Sequence, residues 1–296
     1  MKQSVQTPSA LAFRPPHAPE ARFEIHAGLG WRDQFRLVAE DLRAAASLWH
    51  LAWTLSILDI KLRYRGSLLG PFWLTLSTAV MIGSIGFIYS YLFHTDMTTY
   101  LPFLTFSLTF WTFLSTMMTD GCNVFIQAES TIKGMKLPLS LYAARAVLRN
   151  LIILAHNIVV VIAVFLMFRV SITEWAVLAI PGFIIWLVDG FLMGLLFGIF
   201  CTRFRDVPQI IMSILQILFF VTPIMWQPDQ IKGRPVLSLI MTLNPFEALM
   251  HIVRAPILGV PIGLLSWADA LVFSGVLAVG SLLLFARMRG RIAFWI

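Results

Sequence analysis

Leu58-Asp59-Ile60-Lys61-Leu62-Arg63-Tyr64-Arg65-Gly66-Ser67-Leu68-Leu69-Gly70-Pro71-Phe72-Trp73 is the stretch that decides how this chain is read. Three cations, Lys61, Arg63 and Arg65, run into a Gly-Pro-Phe-Trp junction, and residues 71–93 that follow carry no charge. At a rise of about 1.5 Å per residue, such a segment crosses a hydrocarbon core of about 30 Å. Lys and Arg beside a span hold that end on the cytosolic side, so the junction also orients the chain.

Working outward, the same character recurs. Hydrophobic residues make up 58% of the chain, charged residues 12%, and the mean hydropathy is +0.82; a soluble domain carries about twice that charge fraction. The apolar residues come in long runs rather than in alternation, which predicts an all-α integral membrane protein. Six transmembrane helices are expected, at about 71–93, 100–119, 149–168, 175–200, 207–226 and 267–286. Nine of the Lys and Arg residues precede Pro71, four lie in 120–149 (Lys133, Lys136, Arg145, Arg149), two at 203–206 and three after 286. Only Arg169, Lys232, Arg234 and Arg254 fall on the other side. Both termini are therefore expected in the cytosol, and the asymmetry accounts for the net charge of +7 without nucleic acid.

Two regions do not fit a plain span. From Asp33, the residues Phe35, Val38, Leu42, Ala45, Trp49, Trp53, Ile57 and Ile60 recur at helical spacing, with Arg36, Glu40, Arg43 and His50 opposite. The pattern predicts an N-terminal amphipathic helix over 33–66 in the cytosolic interface. Residues 227–266 are too apolar for an ordinary loop, yet Asn244, Pro245, Glu247, His251, Arg254 and Pro256 interrupt a clean span. A re-entrant helical hairpin in the outer leaflet fits both facts, shielded from lipid by protein or by a wet cavity; a surface-lying amphipathic loop is the alternative. The proline-rich residues 1–32 read as a disordered cytosolic tail, and 67–296 as the six-span membrane domain. Cys122 and Cys201 match no metal or redox spacing and read as small buried thiols at helix ends.

Several chemistries are missing. No GxxxxGK[ST] phosphate loop, His-Glu-x-x-His or Gly-x-Ser-x-Gly occurs. Ionisable groups within spans are sparse: Asp189, Asp269 and His156. A dense set of coupling carboxylates, as in a proton-driven pump, is lacking. The pattern points away from an enzyme and toward a conduit that draws its energy from another chain.

Asp59, Lys61, Arg63, Tyr64, Leu69, Gly70 and Trp73 resemble the motif that opens the permease domain of type 2 ABC exporters. Phe204-Arg205-Asp206-Val207 resembles the Arg-Asp loop before that family's fifth span. Thr222-Pro223-Ile224, Asn244-Pro245-Phe246 and Arg254-Ala255-Pro256-Ile257-Leu258-Gly259 resemble its outer-leaflet region. The likeness covers about residues 35–296 and is nearest to the polysaccharide branch, O-antigen lipopolysaccharide permeases first, capsule and teichoic acid exporters next. It implies an inner-membrane homodimer working with two soluble ABC ATPase subunits. ATP and Mg would be bound there, with no cofactor on this chain, and the cargo would be a lipid-linked polysaccharide.

Site residues follow from that resemblance. Aromatic rings bind the C–H faces of sugars while letting a chain slide. This makes Phe106, Phe110, Trp111 and Phe113 of the second span, Phe87 and Tyr91 of the first, and Phe219 and Phe220 of the fifth the candidate path. Lipid contact or helix packing accounts for the phenylalanines equally well; Trp111, mid-span, is the sharper candidate. Lys61, Arg63 and Arg65 would receive a lipid pyrophosphate, although orientation alone explains them too. Glu129, Lys133, Lys136, Arg203, Arg205 and Asp206 would couple to the ATPase, and Trp226, Asn244, Pro245 and Arg254 would form an outer gate. A drug or small-lipid exporter of the same family, and a membrane enzyme acting on lipid-linked sugar, are the competing readings.

Overall fold

The computed structural model describes residues 30–70, 72–231 and 233–296. The tail expected over 1–32 lies outside the described residues except for its last positions, where Trp31 and Arg32 already belong to the first helix. The chain is helical throughout, without a strand among the described residues.

Where the sequence predicts one amphipathic helix over 33–66, two form: α1 (Trp31–Ser47) and α2 (Trp49–Arg63), broken at Leu48. The break lets the buried face move. Val38 and Ala45 are buried in α1, whereas Ala52, Ser56 and Ile60, spaced by four, are buried in α2. Trp49 and Trp53 consequently face outward. α2 lies along α6, and its small residues permit close approach. The Ser56 hydroxyl sits 2.7 Å from the Ala52 carbonyl and 2.9 Å from that of Arg145. The Arg65-to-Gly70 connection that follows turns through Gly66 and Gly70 at φ of 84° and 55°, the left-handed region open to glycine.

The long helices follow: α3 (Phe72–Phe93), α4 (Met97–Asn123), the short α5 (Glu129–Gly134), α6 (Leu139–Met167), α7 (Ala179–Arg203) after a 3-10 turn at Glu174–Leu178, and α11 (Leu264–Met288). Five helical segments are long and apolar enough to cross a membrane, and α9 (Pro235–Thr242) with α10 (Pro245–Ile257) makes a sixth if the 83° bend between them is counted as one broken span. The expected fifth span, 207–226, is the 15-residue α8 (Val207–Val221), ending where Thr222-Pro223 breaks the helix. The third span starts ten residues earlier than expected. Its first amides are capped from a distance: the Asp41 carboxylate of α1 accepts from Leu139 N at 3.1 Å and Ser140 N at 3.0 Å. The chain closes with a 3-10 turn and α12 (Ile292–Trp295).

α4 is the central helix, buried almost continuously from Tyr100 to Phe110. It packs on α7 through glycines spaced by four, Gly190, Gly194 and Gly198. A Cβ on Gly198 would lie 2.6 Å from Val124 Cγ1, and one on Gly121 would lie 3.1 Å from the Gly194 backbone. On α3, Gly86 abuts Leu101 of α4, while Gly83 faces open space. Cys122 and Cys201 are buried free thiols at the ends of α4 and α7 and join one core cluster. Apolar side chains such as Val80, Phe87, Ile162, Val188, Ile217 and Val276 stand exposed around the bundle. A surface of that extent is stable against lipid or another apolar face, not water. The helix alternation puts α1, α2, α5 and α12 at one end, and α9 and α10 at the other.

Candidate substrate groove and its charged entrance

α4 presents two unlike faces. On one, Phe106, Phe110 and Phe113 are 1%, 4% and 3% exposed, sealed inside the subunit. Phe106 and Phe110 stack at 4.1 Å, and Phe110 meets Trp186 of α7 edge-on at 5.4 Å. The Trp186 indole N–H donates to the Leu249 carbonyl at 2.9 Å, which locks α10 against α7. These three phenylalanines, expected in the path, are core residues here; mutual burial of rings explains their spacing.

The opposite face carries a groove of about 510 Å³ between α4 and α8. Trp111, Ser115, Thr116 and Thr119 form one wall, and Leu215, Gln216, Phe219 and Phe220 the other. The Trp111 ring lies 6.0 Å from Phe219 and 5.8 Å from Phe246. Trp111 thus shares the groove with two of the aromatic residues expected with it, Phe219 and Phe220. The groove also brings hydroxyls and an amide that aromatic counting did not find, although Ser115 and Thr119, with Thr116 beside them, stand at helical spacing from Trp111. Phe87 and Tyr91, 68% and 80% exposed on α3, do not line it.

At the α2 end, Lys61, Arg63 and Arg65 are exposed. Below them lies a partly buried charge network that the sequence does not announce, since Arg145 and Arg149 count there only as cations on the cytosolic side. Asp59 of α2 accepts from Arg145 through both its Nε, at 2.8 Å, and its Nη2, and from Arg149 Nη1 at 3.2 Å. Arg149 Nη2 reaches Asp120 of α4 at 2.8 Å, and Asn150 Nδ2 donates to the same carboxylate at 2.8 Å. Charges paired this way stitch α2, α4 and α6 together, and breaking one pair strands its partner. The signal was available as the i, i+4 spacing of Arg145 and Arg149.

The expected coupling residues gather near α5. Lys133 donates to Glu129 at 2.7 Å and to the Ile296 carbonyl at 2.9 Å. The Lys133 hydrogen bond and charge, with Arg205 adding a little, hold the Glu129 carboxyl below the usual range. Arg203 lies over the rings of Phe204 and Trp295 at 5.4 and 5.9 Å. Lys136, Arg205 and Asp206 are exposed.

At the far end, Arg254 is 3% exposed and fully engaged. Its Nη2 donates to Glu247 at 2.8 Å, its Nη1 to the Pro223 carbonyl at 2.6 Å and to Ser107 at 3.2 Å, and it lies 4.7 Å over the Phe103 ring. Asn244 caps α10 by accepting from Phe246 N at 3.0 Å, and its Nδ2 donates to Thr222 at 2.8 Å. Pro245 occupies the first turn. Trp226 donates to the Phe220 carbonyl at 3.1 Å. The expected gate residues are therefore brought together by a polar clasp tying α10 to α4 and to the end of α8. Glu247, i−7 from Arg254 on the same helix face, completes it.

Residues 50–258 match the family model described as ABC-2 type transporter, and the chain belongs to that family. It is a multi-pass membrane permease by fold. Among curated proteins it is 24% identical over 200 residues to the O-antigen export system permease protein RfbA of Myxococcus xanthus, a match covering 65% of this chain and 74% of that one. It is 25% identical over 194 residues to the RfbA permease of Klebsiella pneumoniae, with the same coverage.

Proposed function

We propose that this chain is the membrane subunit of an ATP-driven exporter that moves a lipid-linked polysaccharide of O-antigen type across the bacterial inner membrane. Two copies pair so that their α4–α8 grooves face one another, and two soluble ABC ATPases supply the energy. The α1, α2, α5 and α12 end is cytosolic, as the distribution of Lys and Arg requires. The α9–α10 pair dips into the outer leaflet, closed by the Arg254 clasp. Lys61, Arg63 and Arg65 meet the lipid pyrophosphate, and Glu129, Lys133, Lys136, Arg203, Arg205 and Asp206 answer to the ATPases.

The observation that carries this reading is the groove itself. Trp111, Phe219 and Phe220 offer aromatic surface beside Ser115, Thr116, Thr119 and Gln216, a mixture suited to the C–H faces and hydroxyls of a sugar chain. Named relatives that export O-antigen support the same cargo. The test is deletion of the chain in its native host. Surface polysaccharide should disappear and return with the intact chain, while unchanged surface glycan would refute the assignment.

A further inference from the structure

On the far side of the bundle from the Trp111 groove, a second groove of about 470 Å³ opens where α6, the Glu174–Leu178 turn with the start of α7, and α10 meet. The buried Phe110 stands behind it, and Ile172, Ala176, Ile184, Val253 and Ile257 are among its walls. Every residue that lines it is Phe, Leu, Ile, Val or Ala, whereas the Trp111 groove mixes rings with hydroxyls and an amide. Ile172, Ile180 and Ile184 of its lining are 66%, 60% and 54% exposed, so it opens outward, at the surface a multi-pass membrane protein turns to lipid.

Its size and depth match one hydrocarbon tail. From Ala176 to Ile184 is eight residues, about 12 Å at the helical rise, within the roughly 15 Å that one leaflet contributes to a core of about 30 Å. An apolar cavity of about 150 Å³ admits one benzene ring, so a groove three times larger holds on the order of a dozen chain carbons.

The mouth carries what a lipid head needs. Arg169, just past the end of α6, and Glu174 lie three and two residues from Ile172, hence within about 11 Å of it along the chain. Both are exposed, and no hydrogen bond or ion pair engages either side chain among the described residues. Trp175, next to Ala176, is 48% exposed, the placement expected of an indole at headgroup depth. One free charge of each sign matches a zwitterionic head, with phosphate for Arg169 and ammonium for Glu174. An anionic head would meet the Glu174 carboxylate without compensation.

We propose that this groove is a site for one zwitterionic phospholipid of the leaflet at the α9–α10 end, its tail between α6, α7 and α10 and its head between Arg169 and Glu174. Val253 in the groove wall adjoins Arg254, so the tail packs against the helix that carries the clasp. The site requires the membrane setting and not the glycan cargo.

The test reconstitutes the full chain with its ATPase in nanodiscs of equal phosphatidylethanolamine and phosphatidylglycerol. One lipid or the other carries a photoactivatable tail, and adducts are mapped by mass spectrometry. Ile180 and Ile184 should take about fivefold more adduct from the ethanolamine lipid, the factor one hydrogen bond supplies. Val276 of α11, 69% exposed and outside the groove, should show no preference. Ala176→Trp, which sets an indole in the groove, should remove the groove adducts and keep those at Val276, which report an inserted fold. Combining Arg169→Gln with Glu174→Gln should abolish the lipid preference while tail adducts persist. Equal labelling of Ile180 and Ile184 by the two lipids, a preference for phosphatidylglycerol, or groove adducts indifferent to Ala176→Trp would overturn the site. None of these results bears on the export reading, since neither glycan nor ATP takes part.

Discussion

Trp111, the proposed cargo contact, and Arg254, the centre of the clasp, are the two side chains whose replacement separates path from scaffold. Trp111 lies in the groove wall with Phe219 at 6.0 Å and is itself 6% exposed, packed in a core cluster with Leu108 and Phe246, so Trp111→Ala removes aromatic surface and some packing from the α4–α8 side without opening the sealed Phe106–Phe110–Trp186 core. Aromatic contacts of this kind are worth about 0.5–1.5 kcal/mol. Trp111→Ala should therefore reduce surface glycan up to about tenfold, read by immunoblot, while the ATPase still co-purifies. Arg254 is scaffold. Arg254→Met leaves Glu247 buried and unpaired, and should destabilise the protein by about 3–5 kcal/mol. Adding Glu247→Leu should recover much of that loss, because two apolar groups replace the pair. Thermal aggregation of the detergent-purified single and double variants checks both statements.

Among the elements, the α4–α7 contact is the most sensitive to volume. Gly198→Leu would drive a side chain into Val124 and Phe125, whose atoms stand 2.6 and 2.9 Å from an added Cβ. Overpacking of this kind costs about 1–3 kcal/mol or more, so yield of folded protein should fall. Gly83→Ala, with nothing within 4 Å of its Cβ, should be silent in the same assay. At the α5 end, Arg205→Glu puts a negative charge near Glu129 and should weaken recovery of the ATPase with the chain; normal recovery would remove Arg205 from the coupling surface. The elements also show what a sequence conveys. Long apolar runs announce α3, α4 and α7, charge-free in the first two and broken only by Asp189 in the third, since some twenty largely apolar residues in a row suit little besides a bilayer-spanning helix. The start of α6 was hidden because Arg145 and Arg149 look like loop charges until Asp59 and Asp120, distant in sequence, are seen to pair with them. The same limit applies to α4. Phe106, Phe110 and Phe113 announce one face by their spacing, but only packing against α7 and α10 tells whether that face is core or conduit.

At the scale of the whole molecule, the account is of a helical bundle with a mixed aromatic and polar groove on one flank, a cation-rich end, and a clasped helical pair at the other end. The ABC-2 type transporter family membership follows from residues 50–258, and the groove is the proposed path for the sugar chain. The central claim is that this polypeptide conducts and an ATPase drives. It is tested most directly by reconstituting the purified chain into liposomes with its lipid-linked glycan, with and without the ATPase, and measuring glycan that becomes accessible on the opposite leaflet after ATP is added. The account predicts translocation only when both proteins and ATP are present. Translocation or nucleotide hydrolysis by this chain alone would contradict it.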